Sequence, residues 1–372
     1  MNKEEIVQIL AQVKYPGFSK DIVSFGMLKE ISIEENQIII NLSQSTNQVE
    51  TLNSIKSDII QKISESDRDN KSIIVNYIPS ENLSKSNISS NNTKNIKNII
   101  AIASGKGGVG KSTVAINVAC ELSKSYKVGL LDLDIYGPSL PTLIGESSTP
   151  KVKENNLLIP IEKFGIKFMS FGFLNSTNDP AMWRGPMVSK VTHQFFDNVD
   201  WGDLDYLILD LPPGTGDIQL TLVQKIALTG AVIVTTPQDL AHKDVQKGSD
   251  MFEKVNTPLL GIIENMAYYR MEGTAIGSGI DSLELNIKNL DQNITIDDNG
   301  KFDFNVEIFK GKSGEKESKR LNIPLLGSLP LEPNISLFSD LGRPYILENE
   351  SSYTGQIFSD IIGKIVKIVK NK

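Results

Sequence analysis

Residues Gly105 to Ser112 read Gly-Lys-Gly-Gly-Val-Gly-Lys-Ser, a full match to the phosphate-cradling pattern G-x-x-x-x-G-K-S/T. Glycines at this spacing let the backbone curl until several N–H groups converge on one phosphate. Lys111 supplies a charge for β- and γ-phosphates, and the Ser112 hydroxyl is a ligand for Mg²⁺. The stretch follows the apolar run Ile99–Ala103 and opens a helix-like segment, Thr113 to Lys124. The helix start adds partial positive charge at the same place. Nucleotide contacts are therefore expected from Gly105, Lys106, Gly107, Gly108, Val109, Gly110, Lys111, Ser112 and Thr113. Lys106 is a second lysine, directly after the first glycine, that cradling a phosphate within one chain does not require.

Acids follow at the ends of later apolar runs. Leu131-Asp132-Leu133-Asp134 places two carboxylates on one side of a strand tip. Asp134 is the candidate for positioning an attacking water, and Asp132 for the metal shell. Strand-end capping is the structural alternative for both. Tyr206-Leu207-Ile208-Leu209-Asp210 is an apolar strand ending in an acid, the arrangement in which the carboxylate holds Mg²⁺. Leu211-Pro212-Pro213-Gly214-Thr215-Gly216-Asp217 follows at once. Prolines that fix φ beside glycines that free it suit a switch sensing the γ-phosphate. Asn265, in Glu264-Asn265-Met266, offers a donor and an acceptor to an adenine edge, or else caps a turn.

Such acids and loops need a sheet to carry them. Strand-like runs at Val128–Leu133, Tyr206–Leu211, Ala231–Thr235 and Leu259–Ile263 are apolar throughout, as parallel strands covered on both faces should be. Helical segments at Asp217–Ile226 and Ala241–Val255 alternate with them. The expectation is a doubly wound, mainly parallel α/β sheet with its nucleotide at the carboxyl ends of the strands. Residues 1–79 read as a small α+β domain. It would hold a helix from Glu4 to Val13, strands Ile22–Ile33 and Gln37–Leu42, a helix from Val49 to Ile63 and a strand Ile73–Ile78. Residues 80–97, rich in Ser, Asn and Lys, read as a flexible linker to a domain spanning 98–372. Residues 271–319 break the strand–helix rhythm and read as an insert, with a hairpin near Ile294–Ile308.

The 372 residues, 40% hydrophobic and 22% charged, fit a globular protein of two or three domains. A net charge of −7 does not favour nucleic acid as a bulk partner. The segment Met1–Leu10 carries acids and lacks a signal-peptide core, no apolar run approaches a membrane span, and a cytoplasmic setting is expected. A lone cysteine, Cys120, excludes an intramolecular disulfide. It lies among Val114, Val118 and Leu122 and reads as a small buried hydrophobe. His193 and His242 make no metal-ligand spacing with it. The stripe Ile357, Phe358, Ile361, Ile362, Ile365, Val366 and Val369, flanked by lysines, reads as a last helix packed on the sheet, with a membrane-surface tail as the alternative.

The loop with Lys106 resembles the deviant phosphate loop of the nitrogenase iron protein, MinD and ParA ATPases, in which that lysine reaches the nucleotide of the facing subunit. More specifically, the chain is similar to the Mrp/ApbC family of P-loop ATPases, described as iron–sulfur cluster carriers. The resemblance rests on Gly105–Ser112, Asp134-Ile135-Tyr136-Gly137-Pro138-Ser139, Met182-Trp183-Arg184-Gly185-Pro186-Met187, Asp210–Asp217, Thr235-Thr236-Pro237-Gln238 and Glu264-Asn265-Met266. Residues 1–79 resemble the small MIP18-like domain found also in metal–sulfur assembly factors. The resemblance implies ATP and Mg²⁺ as cofactors, a nucleotide-gated homodimer completed by Lys106, and apo iron–sulfur clients and assembly factors as partners. The net charge and the reading of the last helix as packed on the sheet point to neither nucleic acid nor membrane as a partner. A cysteine-poor ATP-gated scaffold and a MinD-like positioning ATPase are the alternatives. Many members carry a Cys-x-x-Cys pair after Glu-Asn-Met, but here the stretch reads Ala267-Tyr268-Tyr269-Arg270-Met271-Glu272-Gly273-Thr274. A 4Fe–4S cluster normally takes four thiolates, so the cluster is implied by resemblance only and no residue stands out as its ligand.

Overall fold

The computed structural model describes residues 2–13, 21–23, 27–34, 36–44, 49–66, 71–79, 94–154, 157–174, 195–196, 198–276, 284–286 and 293–371. The chain divides into two compact units, Met1–Ser86 and Asn87–Lys372.

In the first unit, helix α1 (Lys3–Leu10) starts at Asn2, whose side chain accepts from Glu5 N while Glu5 reaches back to Asn2 N. Strand β1 (Leu28–Ile33) pairs antiparallel with β2 (Gln37–Gln44), which pairs parallel with β3 (Ser72–Pro79). Helix α2 (Val49–Ser66) provides the crossover. Ile38, Ile40 and Leu42, spaced by two, are buried with Ile55, Ile59 and Ile63, spaced by four. The expected strand Ile22–Ile33 begins only at Leu28, because Ile22 belongs to a turn in which its N–H donates to Val13 O.

The second unit is built on an eight-stranded sheet. Its strands are β4 (Ile96–Ala103), β5 (Val128–Asp132), β6 (Ile161–Lys163), β7 (Ile166–Ser170), β8 (Leu204–Asp210), β9 (Gly230–Thr235), β10 (Leu259–Glu264) and β15 (Leu325–Ser328). Their spatial order is β15-β10-β9-β4-β8-β5-β7-β6, all parallel except the edge pair β6–β7. Alternation splits each strand between two cores. Ile100, Ile102, Tyr206 and Ile208 face one, while Ala101, Ala103, Leu207 and Leu209 face the other. Helices α3 (Lys111–Ser123), α4 (Leu140–Ile144) and the final helix α10 (Tyr353–Lys370) cover the first face. Helices α5 (Asp217–Lys225) and α6 (Asp239–Lys254) contribute Leu222, Val223, Val245, Met251 and Phe252 to the second. This is the doubly wound sheet expected from unbroken apolar strands.

Three boundaries differ from the sequence reading. Ile96 and Lys97, read as linker, already belong to β4, where Ile96 pairs with Leu204. The rest of that linker that falls in 80–93, with the stretch 182–187 and His193, lies outside the described residues. The expected local hairpin at 294–308 has a different partner. The chain does reverse at Asp297–Lys301, but β14 (Lys301–Val306) pairs with β11 (Tyr269–Thr274), and the short strands β12 (Glu284–Asn286) and β13 (Asn293–Thr295) pair with each other. Helix α7 (Ser313–Leu321), placed inside the expected insert, instead packs on β10.

Two short helices, α8 (Pro333–Asp340) and α9 (Tyr345–Glu348), lead to α10. The apolar stripe of α10 is internal: Phe358, Ile361, Ile362, Ile365 and Val369 are buried with α3 and β15. Its Lys364 turns back to donate to Leu326 O at 2.7 Å. No helix among the described residues is long and apolar enough to cross a membrane. Ile361 rests against Gly327 of β15, where no Cβ intervenes. Truncating it leaves a cavity on that contact, so Ile361→Ala should cost about 2–5 kcal/mol in denaturant unfolding. A loss below about 0.5 kcal/mol would show that the helix does not depend on this seam.

Candidate functional site

The loop after β4 is shaped by what lies behind it. Gly110, at φ 78°, precedes α3 in a left-handed conformation, and a Cβ there would strike the Asn265 carboxamide. A Cβ on Gly105 would run into the backbone carbonyl of Asp244 on α6. Both glycines are required by close approach. Gly110 has no side chain to cap α3, and first-turn N–H groups of that kind favour an anion. Val109 is buried, which anchors the loop to the core.

Lys111 opens α3 and is 6% exposed. Its ammonium forms an ion pair with the Asp210 carboxylate, and its Nζ lies 3.3 Å from Ser112 Oγ. Asp132 is the direct lateral neighbour of Asp210 across β5 and β8. It is 1% exposed. Its carboxylate accepts Asp134 N at 3.0 Å, Leu140 N at 3.3 Å and Ser170 Oγ at 3.0 Å. Burial, and then the charge of Asp210, push the Asp132 carboxyl well above the ordinary carboxylate range. Three protein donors already hold the Asp132 carboxylate, which is the strand-end capping weighed for it beside the metal shell. Asp132 orders the turn that carries Asp134 and starts α4. Asp134 is half-buried, with its carboxyl raised by burial and held back by the nearby Lys111.

The remaining loops are stitched to these. Gly214 N donates to Ser104 O at 3.1 Å and Leu133 N to Asp210 O at 2.9 Å, joining the Pro-Pro-Gly stretch and the acid-bearing tips. Lys106 Nζ donates to Gln238 Oε1 at 3.2 Å. Asn265 Nδ2 donates to Val109 O at 2.9 Å, and the residue is 7% exposed. One of its two N–H donors therefore braces the phosphate loop. Glu264, beside it, accepts Gly314 N at 2.8 Å and caps the start of α7. Sequence reading gave no role to Ser170, Gln238 or the Glu264 cap. Ser170 and Gln238 bond to Asp132 and Lys106, which are distant in the chain, and no local pattern announces either.

Cys120 is buried in the α3 core, and desolvation pushes its thiol above the usual range. Among the described residues no group of three or more His, Cys, Asp or Glu could hold a metal ion.

Glu264 supplies a pH test. Burial raises its folded-state carboxyl above the ordinary value. A raised acid favours folding while it stays protonated, so its contribution falls as pH rises past the unfolded value of about 4.3. Glu264→Gln keeps an acceptor for Gly314 N without the charge. Urea unfolding of the variant should lose less stability than wild type as pH rises from about 4.3, and an unchanged slope would contradict the assignment.

A family model described as NUBPL iron-transfer P-loop NTPase matches residues 95–279 and 278–366. Another, described as iron–sulfur cluster assembly protein, matches residues 3–73. An iron–sulfur cluster carrier protein of Aquifex aeolicus is 44% identical over 281 residues, 74% of this chain and 69% of that protein. One of Helicobacter pylori is 33% identical over 379 residues, covering 100% of this chain and 95% of the other. Among solved structures, a nucleotide-binding protein of Archaeoglobus fulgidus in complex with ADP is 34% identical, covers 68% of this chain and 90% of its own, and superposes with a TM-score of 0.53. The cell division ATPase MinD of Pyrococcus furiosus, at 19% identity, shares the fold with a TM-score of 0.50 over 73% of this chain and 100% of its own. Matches of this length and identity, on a loop and sheet of this geometry, make the chain a member of the NUBPL iron-transfer P-loop NTPase family.

Proposed function

We propose that this chain is an Mg²⁺-dependent ATPase that works as a nucleotide-gated homodimer in iron–sulfur protein maturation. The observation that carries the proposal is the convergence of Lys111, Ser112 and Asp210 at the carboxyl ends of β4 and β8. ATP binding would draw the Lys111 ammonium from Asp210 onto the β- and γ-phosphates. Ser112 and Asp210 are hard oxygen donors that already share one cation, Lys111, so they fit Mg²⁺. That ion, when bound, supplies neutralisation of phosphate charge. Asp134, on the turn ordered by Asp132, would orient the attacking water toward the γ-phosphate. Lys106 would complete the site of the facing protomer, as the family resemblance implies. The Pro212–Gly214 segment, bonded to Ser104, would carry the nucleotide state to the surface offered to clients.

Iron–sulfur work is supported by relatives named as carrier and transfer proteins for such clusters. The residues present do not fit direct ligation. A dimer would supply two copies of Cys120, and this thiol is fully buried and hard to ionise. That observation favours a second form of the proposal, an ATP-gated scaffold in the cytoplasm that joins assembly factors to apo clients without a dedicated cluster motif of its own.

Lys111→Ala should abolish turnover and weaken nucleotide binding, measured by phosphate release and calorimetry; near-normal hydrolysis would sink the assignment. Asp134→Asn should keep Mg·ATP binding but slow hydrolysis about 10²-fold. If binding falls instead, Asp134 is a metal or structural residue. Anaerobic reconstitution with iron and sulfide should give a cluster only with added thiol. A full cluster per dimer without thiol, lost in Cys120→Ser, would restore direct ligation.

A further inference from the structure

The Lys106 side chain is held at home by one residue. Its Nζ donates to Gln238 Oε1 at 3.2 Å, and the Thr236 hydroxyl donates to the same oxygen at 3.1 Å. Gln238 sits at the N-cap of α6, yet its side chain makes no capping bond. Its carboxamide is thus free of the local duty that such a position usually imposes, and is turned toward the phosphate loop by Thr236. The segment that presents it is rigid on both sides. Thr235 O accepts Asn265 N at 2.7 Å, Pro237 O accepts Ser313 N at 3.1 Å, and Lys316 Nζ pairs with Asp239 at 2.7 Å. Gly311 packs so closely on Pro237 O and Asp239 N that no Cβ would fit.

We infer that Gln238 is a positioning residue that parks Lys106 within its own protomer and so sets the threshold for dimer closure. The inference rests on the reading that Lys106 acts in trans. A lysine bonded to its own Gln238 cannot at the same time reach a facing nucleotide. Closure therefore includes breaking this contact, and any change in its strength appears in the dimerisation constant with opposite sign. A single ammonium–carboxamide hydrogen bond at a half-exposed site is weak enough to break readily and strong enough to bias the lysine's resting position.

Two substitutions push in opposite directions. Gln238→Leu removes the acceptor and should tighten ATP-dependent dimerisation about two- to fivefold, the scale of a partly exposed polar contact. Gln238→Glu gives the ammonium a charged partner and should weaken dimerisation by a similar factor, more so at low salt. Dimerisation is read by sedimentation with ATP and by the protein concentration giving half-maximal ATPase activity. Loss of structure would move both variants the same way and lower their melting temperatures, which separates it from positioning. Both variants weakening the dimer, or neither changing it, overturns the role of Gln238. Lys106→Ala is the control for the reading beneath. If it dimerises and hydrolyses like wild type, action in trans fails and the parking role fails with it. If it loses the dimer while the two Gln238 variants shift together, the trans reading stands and only the parking role falls.

Discussion

One ammonium stands among buried carboxylates at the carboxyl edge of the sheet, and the site is organised around it. Parallel register makes Asp132 and Asp210 lateral neighbours, and both are almost wholly buried. Like charges so placed repel in a medium that screens poorly. The Lys111–Asp210 pair neutralises one of them, while three hydrogen bonds accommodate the other. A buried pair of this kind is poor evidence of stability but strong evidence of a poised charge, because removing either partner strands the other. Nucleotide chemistry would use that poise, with phosphates competing for Lys111 and a divalent ion for Asp210.

The loops around this pair are braced from unrelated parts of the chain. Gly105 backs onto α6, Val109 O receives Asn265, and Ser104 O receives Gly214. Both stems of the β11–β14 arm grow from the same region. The upstream stem leaves directly after Asn265, and the downstream stem returns through Gly311–Gly314, bonded to Pro237 and Glu264. The arm begins in the stretch after Glu264-Asn265-Met266, which holds no cysteine. In this chain that place offers Tyr269, Arg270 and Met271, with Arg270 clamped by Asp303 and stacked 4.1 Å from the Tyr353 ring centroid. That stretch offers no thiol, and the one cysteine of the sequence, Cys120, is core packing.

Much of the architecture was legible because each signal had a local cause. Unbroken apolar runs at Val128 and Tyr206 meant strands covered on two faces. The Gly105–Ser112 pattern meant a strand–loop–helix, and α3 does open at Lys111. The stripe on Ile357–Val369 was ambiguous between core and membrane surface because both present one apolar face. Only the presence of α3 and β15 beneath it decided the matter. The strand at 301–306 was legible as a strand, but its partner was not, since pairing depends on which chain segment the fold brings alongside.

The same division runs through the site. The sequence by itself singled out the candidates for chemistry, Lys106, Lys111, Ser112, Asp132, Asp134, Asp210 and Asn265, each at the end of an apolar run or within a glycine-rich loop. It did so because strand period and turn chemistry act over a few residues. The tertiary structure decided what each group is bonded to. It turned Asp132 inward to Ser170 and Leu140, gave the Asn265 amide to the phosphate loop, and set Gln238 beside Lys106. Those partners lie on different strands, loops and helix starts, and the hydrogen bonds between them follow from the sheet order and register that bring these ends together, which no short stretch of sequence encodes.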